Sequence, residues 1–191
     1  MNRSVLKKKA DNWTRLLQAA EKTTYRYGFG NTAIADIAKE ARIPLGNVYY
    51  YFKTKDEIGD AIIDLRLARL RTLLQELDKL ACPRDRLCGF VQLKIDRREK
   101  LARAGCPVGT LCSELHKQGG PVAMRSTVLF AEALAWLEAQ FKALGKGVDS
   151  RGLAVHLLSA TQGMSVLAHT FHDPGLIDIE SARLMQWIRE L

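Results

Sequence analysis

Three consecutive tyrosines, Tyr49, Tyr50 and Tyr51, follow Gly46 and Asn47, with Arg42 on one side and Lys53 and Lys55 on the other. Hydroxyls and an amide donate and accept hydrogen bonds, and the cations add charge without nucleophilicity. Such a set suits the holding of phosphates and base edges. Leu45 adds an apolar contact of the kind a thymine methyl accepts. Asn47 suits a base edge or a phosphate, and Gly46 lets backbone come close to either. The other reactive residues are four cysteines, Cys82, Cys88, Cys106 and Cys112, which have neither CxxC nor Cys/His finger spacing. They read as free thiols in a reducing cytoplasm. Cys106 precedes Pro107 at an expected helix start, where amides and Arg103 favour a thiolate. His169 and His172 stand three apart without a third ligand, so they read as helix-end residues and no metal or cofactor is expected. With no nucleophile–base–orienter set and no phosphate-binding loop, the chain reads as a non-enzyme.

The elements that must position the tyrosine cluster are two short helices and a bend. Thr32 is placed as the N-cap of the first, and Ile34, Ile37, Ala38 and Ala41 give it one narrow apolar stripe. Arg42-Ile43-Pro44 interrupts that stripe, because Pro44 lacks an amide hydrogen and biases Ile43 out of the helical region. A second helix starts at Pro44 and runs to Phe52, with Val48 and Phe52 inward and Gly46, Asn47, Tyr49 and Tyr50 outward. So short a helix buries too little to stand alone, and its polar face is expected to meet a partner. Thr54 and Glu57 form a capping box that opens a third helix and sets Lys55 beside a positive helix end as a phosphate clamp.

Around this centre, residues 1–10 read as a mobile basic arm, with Arg3 and Lys7-Lys8-Lys9 available to phosphate. A first helix is expected from Asp11 or Asn12 to Tyr27, burying Trp13, Leu16, Leu17 and Ala20 and stopping at Gly28. The helix from Thr54 is expected to reach Leu80. Further helices fall at 84–103, 108–118, 122–144, 149–171 and 179–191, separated by glycine and proline. No alternating stretch argues for strands, so the chain is all-α. The 191 residues carry 29 Lys/Arg against 21 Asp/Glu, a net charge of +8. Residues 1–60 hold eleven of those cations against seven carboxylates. That balance favours a polyanion. No apolar run approaches the ~20 residues of a membrane span, and the start has no signal-peptide pattern.

Thr32, Asp36-Ile37-Ala38, Ala41, Ile43, Gly46, Val48-Tyr49, Phe52 and Lys55, with Gly28-Phe29 before them, resemble the DNA-binding segment of TetR family transcriptional regulators in residue type and spacing. The resemblance covers about the first third of the chain. It implies an N-terminal three-helix helix-turn-helix domain with its basic arm over residues 1–53. A larger helical effector-binding and dimerisation domain would follow over residues 54–191. It also implies double-stranded DNA as partner, read as a palindromic operator by a homodimer. The expected DNA-contacting residues are Thr32, Arg42, Leu45, Gly46, Asn47, Tyr49, Tyr50, Tyr51, Lys53 and Lys55. Arg42 stands where the family has glycine, and Pro44 where it has a capping serine, so that serine's role does not transfer to Pro44. Thr23 and Thr24 replace large apolar residues.

Residues 104–115 resemble a glycine-cysteine stretch in a branch of the family that includes sensors of electrophiles and oxidants. An effector cavity between the middle helices is implied, with Cys106, Phe90, Trp136 and His156 as its candidate residues and Phe130, Phe141 and Met164 as further wall. At the C-terminal end, Leu153, Leu157, Ala160, Met164 and Leu167, then Ala182, Met185, Ile188 and Leu191, form the stripes expected to pair with a second copy. The function these readings imply is a cytoplasmic repressor released by a small molecule or by thiol modification. The alternative is a DNA-bound adaptor that recruits a protein and answers to no small molecule.

Overall fold

The computed structural model describes the backbone of residues 3–191 and the side chains from Lys9 onward. Among the described residues it is all helix: α1 (Arg3–Tyr27), α2 (Ile34–Ala41), α3 (Leu45–Tyr51), α4 (Lys55–Asp78), α5 (Pro83–Ile95), α6 (Arg98–Ala104), α7 (Pro107–Gln118), α8 (Pro121–Ser126), α9 (Val128–Ala143), α10 (Ser150–Phe171) and α11 (Gly175–Glu190). A single 3-10 turn at Gly147–Asp149 leads into α10. No helix among the described residues is long and apolar enough to cross a membrane.

The first helix corrects one expectation. It begins at Arg3 rather than near Asp11, because no glycine or proline interrupts a run of good helix formers between them. Residues 3–10 are therefore helix and not an arm, while the side chains of Arg3, Lys7 and Lys8 lie outside the described residues. Two expected helices are broken further. The stretch from residue 84 divides into α5 and α6 where Arg97 leaves helical geometry (φ −116°, ψ 10°), and the stretch from 122 divides at Thr127 into α8 and α9.

By packing, the chain forms two compact units. One comprises residues 1–66 and 110–127, and the other residues 67–109 and 128–191. In the first unit, α1 packs on α2 and α2 on α3 around Leu16, Leu17, Ala20, Ile37, Val48 and Phe52. Thr23 and Thr24 lie buried in this unit, their hydroxyls donated to the carbonyls of Ala19, Ala20 and Glu21 on their own helix. With the hydroxyls so satisfied, the two threonines pack as valine would. Trp13, expected inward, is 42% exposed and only tilts its ring against Phe52 at 6.5 Å.

The second unit is a bundle of α5, α6, α9, α10 and α11 around Leu87, Phe90, Leu137, Phe141, Leu157 and Ile188. A smaller cluster of Leu101, Ala102, Met164, Ala168 and Ile177 closes its other end.

Candidate nucleic-acid interface

The bend between α2 and α3 is built by residues that each answer an orphan backbone group. Arg42 takes the left-handed conformation (φ 54°, ψ 46°), as expected for a position that glycine would fill without strain. The cost for arginine is of order 1 kcal/mol. Three contacts offset it. The Arg42 amide donates to the Lys39 carbonyl at 3.1 Å, and the Ile43 amide donates to the Ala38 carbonyl at 3.0 Å. From α1, the Arg15 guanidinium donates to the Ala41 carbonyl at 2.6 Å, at the negative end of α2. Ile43 is buried and pins the turn.

At the other end of α2 the cap is Ala33, not Thr32. The Ala33 amide donates to the Asp36 carboxylate at 2.9 Å, while the Thr32 hydroxyl donates to the Gly28 carbonyl at 2.7 Å. Thr32 is 2% exposed, so the structure places it in the core beneath the interface.

α3 follows an extended Pro44 (ψ 136°), which is the cap and not the first helical residue. Val48 is fully buried and Phe52 nearly so, as the four-residue spacing predicts. Their burial leaves Leu45, Gly46, Asn47, Tyr49 and Tyr50 exposed along one side, with Tyr50 63% open. Tyr51 is half-buried, edge-on to Tyr50 at 5.4 Å. A Cβ built on Gly46 meets nothing within 4 Å, so nothing in the protein requires a glycine there.

The start of α4 differs in detail from the expected box. The Glu57 amide donates to the Thr54 hydroxyl at 3.1 Å, but the Glu57 carboxylate reaches back to the Lys53 amide at 2.6 Å, one residue beyond Thr54. Lys53 is exposed. Lys55 is turned toward the α1–α2 loop. Its ammonium donates to the Gly30 carbonyl at 2.9 Å and sits over the Phe29 ring at 5.0 Å. Burial lowers its pKa, and the Glu114 carboxylate pulls the other way. Glu114, on α7, accepts from the Gly30 amide at 3.2 Å. A Cβ on Gly28 (φ +88°) would come within 2.9 Å of that same carboxylate. The loop is thus gripped from α4 and α7 together. Sequence reasoning missed Glu114 and Arg15, whose partners lie 84 and 26 residues away with no local pattern to mark them.

One more contact joins the exposed face. Lys9, on α1, donates to the Tyr50 hydroxyl at 3.2 Å and lies over its ring at 4.7 Å.

Of the candidate effector residues, Phe90 and Trp136 meet each other. Phe90 is buried in the bundle core and stacks on Trp136 at 6.0 Å, and the Trp136 indole donates to Asp78 at 2.9 Å. His156 is exposed, edge-on to Trp187 at 4.9 Å. Cys106 belongs to neither bundle cluster. It is 8% exposed, immediately before α7, and its sulfur accepts from the Gly109 amide at 3.4 Å. All four cysteines are free thiols. An open depression of about 470 Å³ is lined instead by Lys146, Val148, Asp149, Gly152, Leu153 and Leu191.

The stripes assigned to pairing divide: Leu157, Met164 and Ile188 are buried in the bundle, Leu153, Ala160, Met185 and Leu191 are half-buried, and Leu167 and Ala182 are exposed. The exposed Leu167 shares an outward apolar surface with Val155, Val166 and Phe171 on α10 and Ile179 on α11. Between them Gly163 carries open space where a Cβ would stand.

Residues 16–62 match the family model described as bacterial regulatory proteins, tetR family. The probable HTH-type transcriptional regulator ArpR of Pseudomonas putida is 34% identical over 93 residues, 45% of this chain and 44% of that protein. The HTH-type transcriptional repressor NemR of Escherichia coli K12 is 29% identical over 91 residues, covering 46% and 45%. The chain spans less than half the length of these curated relatives. In fold the likeness extends over nearly the whole chain. A TetR transcriptional regulator from Chloroflexus aurantiacus superposes with a TM-score of 0.85 over 96% of both chains at 19% identity. Reduced E. coli NemR superposes with 0.79 over 91% of this chain and 95% of that one, also at 19% identity.

Proposed function

With residues 16–62 belonging to the tetR family of bacterial regulatory proteins, and the whole chain carrying the fold of that family's solved regulators, we propose that it is a dimeric transcriptional repressor. It binds a palindromic operator in duplex DNA from the cytoplasm. The observation that carries this reading is the exposed side of α3. Leu45, Gly46, Asn47, Tyr49 and Tyr50 lie open together, and the glycine among them has no internal reason to be one. A helix held rigidly from behind by Val48 and Phe52, with hydrogen-bonding groups in front, has the form that enters a major groove. Arg42 and Lys53 flank it as phosphate contacts, and residues 1–53 supply the DNA-binding region. Thr32 and Lys55 then act by setting the loop and helix positions, since both are already turned toward the Gly28–Gly30 backbone.

The outward stripe of α10 and α11 is the surface on which two copies meet. Residues 54–191 supply that surface and the regulatory response. Two heads held about 34 Å apart read two half-sites. An effector that favours the form with the wrong spacing lowers DNA affinity by linkage.

The sharper version places the effector at Cys106. An α,β-unsaturated carbonyl, as a soft electrophile, adds there: the S–H bond and the C=C π bond break, a C–S bond forms, and the thiol proton passes by way of solvent to the α-carbon. The sulfur touches the first turn of α7, and Glu114 near the far end of that helix holds Gly30. The adduct would therefore act on the helix that grips the loop before α2. The packed state of Phe90 and Trp136 favours the other reading, an adaptor that recruits a protein and lacks a small-molecule site.

Selection of bound fragments from random duplex DNA, with and without thiol-reactive compounds, tests the whole. A palindromic consensus is expected, and a chain that enriches no sequence is not a sequence-specific regulator. Cys106→Ser should bind the consensus normally yet no longer release it on alkylation. Release that survives this change removes Cys106 as the responsive group and puts the response elsewhere in the chain, and no release by any compound leaves the adaptor.

A further inference from the structure

We infer that Lys9 is a phosphate-contacting and positioning residue of the DNA interface, held in place by Tyr50. The inference rests on the DNA-binding reading above and extends the interface from α3 to the N-terminal turns of α1. Three observations carry it. α1 is already helical at Lys9, so the side chain is presented from a regular element at a fixed position relative to α3. The ammonium is fixed twice by one residue, over the Tyr50 ring at 4.7 Å and donating to its hydroxyl at 3.2 Å. Both Lys9 and Tyr50 are exposed, and Tyr50 is the most open large residue of α3.

The chemistry of the pair is asymmetric. The hydroxyl of Tyr50 accepts one ammonium proton, and the ammonium has two more to offer to an anion. The ring face attracts the cation without neutralising its charge, so the charge stays available to a phosphate. In return the cation limits the rotamers of Tyr50. Its hydroxyl proton then points away from Lys9, toward whatever approaches α3. The interface gains a pre-set cation at its edge, and such contacts fix register on a duplex without reading its sequence.

The test is the salt dependence of operator affinity, measured on the whole chain with the duplex recovered by selection. Lys9→Met should lower affinity several-fold at low salt, equally on matched and scrambled duplexes. It should also reduce the slope of log affinity against log salt by about 0.9, the value of one lost phosphate contact. Lys9→Arg should keep the slope. Lys22→Met, an equal change of charge on the same helix where the lysine pairs with Glu40, should leave it unchanged. In a Tyr50→Leu background, Lys9→Met should have a smaller effect than in the parent chain, because Tyr50 no longer holds the cation.

An unaltered slope in Lys9→Met overturns the inference while operator binding stands. Equal slope losses in Lys9→Met and Lys22→Met also overturn it, since net charge would then be the cause. Additive effects of Lys9→Met and Tyr50→Leu remove the positioning role. If the parent chain binds no duplex, the DNA-binding reading fails first and this one with it.

Discussion

The outer side of α3 and the outer side of α10 share one oddity and differ in everything else. Each carries a glycine, Gly46 and Gly163, whose missing side chain leaves space that nothing in the protein fills. Glycine in a helix costs roughly 0.5–1 kcal/mol against alanine, so both positions are weaker than they need be for folding alone. Around Gly46 the exposed groups are tyrosine hydroxyls, an asparagine and the cations Lys9, Arg42 and Lys53. Around Gly163 they are Val155, Val166, Leu167 and Phe171. The first surface suits a polyanion with hydrogen-bonding edges, as proposed above. The second suits an apolar surface, and a second copy of the same helix is the one such surface always at hand.

The largest effect should follow from placing charge on the apolar side. Leu167→Asp puts a carboxylate into the α10 face twice in the proposed dimer, and unpaired charge at an interface costs several kcal/mol. Sedimentation should give a monomer. Operator affinity should fall by about a hundredfold or more, which corresponds to about 2.8 kcal/mol. A stable dimer in this variant would mean that the copies meet elsewhere.

Gly46→Ala should separate folding from function on the other side. The methyl group projects into solvent and meets no protein atom, so the melting temperature should hold or rise, with a gain of up to about 1 kcal/mol. DNA affinity should drop by about tenfold, since the close approach is lost. A variant that binds DNA as well as its parent would show that Gly46 faces nothing.

The two faces were also unequally legible in the sequence. The α3 side could be read because its determinants are local. Pro44 breaks the stripe before it and caps α3, Val48 and Phe52 share a face by spacing, and Arg42 stands where the family has glycine. Even there, longer-range contacts stayed hidden. The Arg15 cap on α2, the Glu114 grip on Gly30 and the Lys9 contact with Tyr50 join residues from 26 to 84 positions apart. Thr32 was placed one residue off, because an exposed Asp36 three positions after Ala33 answers the cap from inside the helix.

On α10 the difficulty was of another kind. That helix is apolar on two sides, and periodicity finds both stripes without telling which one faces the bundle. Leu157 and Met164 went inward, and Val166 and Phe171 did not. The aromatic residues chosen as a cavity wall met the same ambiguity. Phe90 and Trp136 stack on each other, as large rings in a helical core commonly do.

The smallest effects should come from moving one hydroxyl on each side. Tyr49→Phe removes a hydroxyl from an exposed ring of α3 and leaves the ring itself in place. If that hydroxyl holds a phosphate, affinity should fall about threefold on every duplex alike, toward the low end for one hydrogen bond. The salt slope should not move, because a neutral phenol displaces no counterion. Phe171→Tyr adds a hydroxyl at the rim of the α10 face, where the ring is 68% exposed in the single chain. There the new group must be desolvated or find water, so the dimer should weaken by roughly 0.5–2 kcal/mol, with the half-sites still read in the same order of preference. The two substitutions are chemical opposites, and each should harm only its own face. If Tyr49→Phe instead weakened dimerisation, or Phe171→Tyr altered sequence preference, the two surfaces would not be separable and their assignment to two different partners would fall.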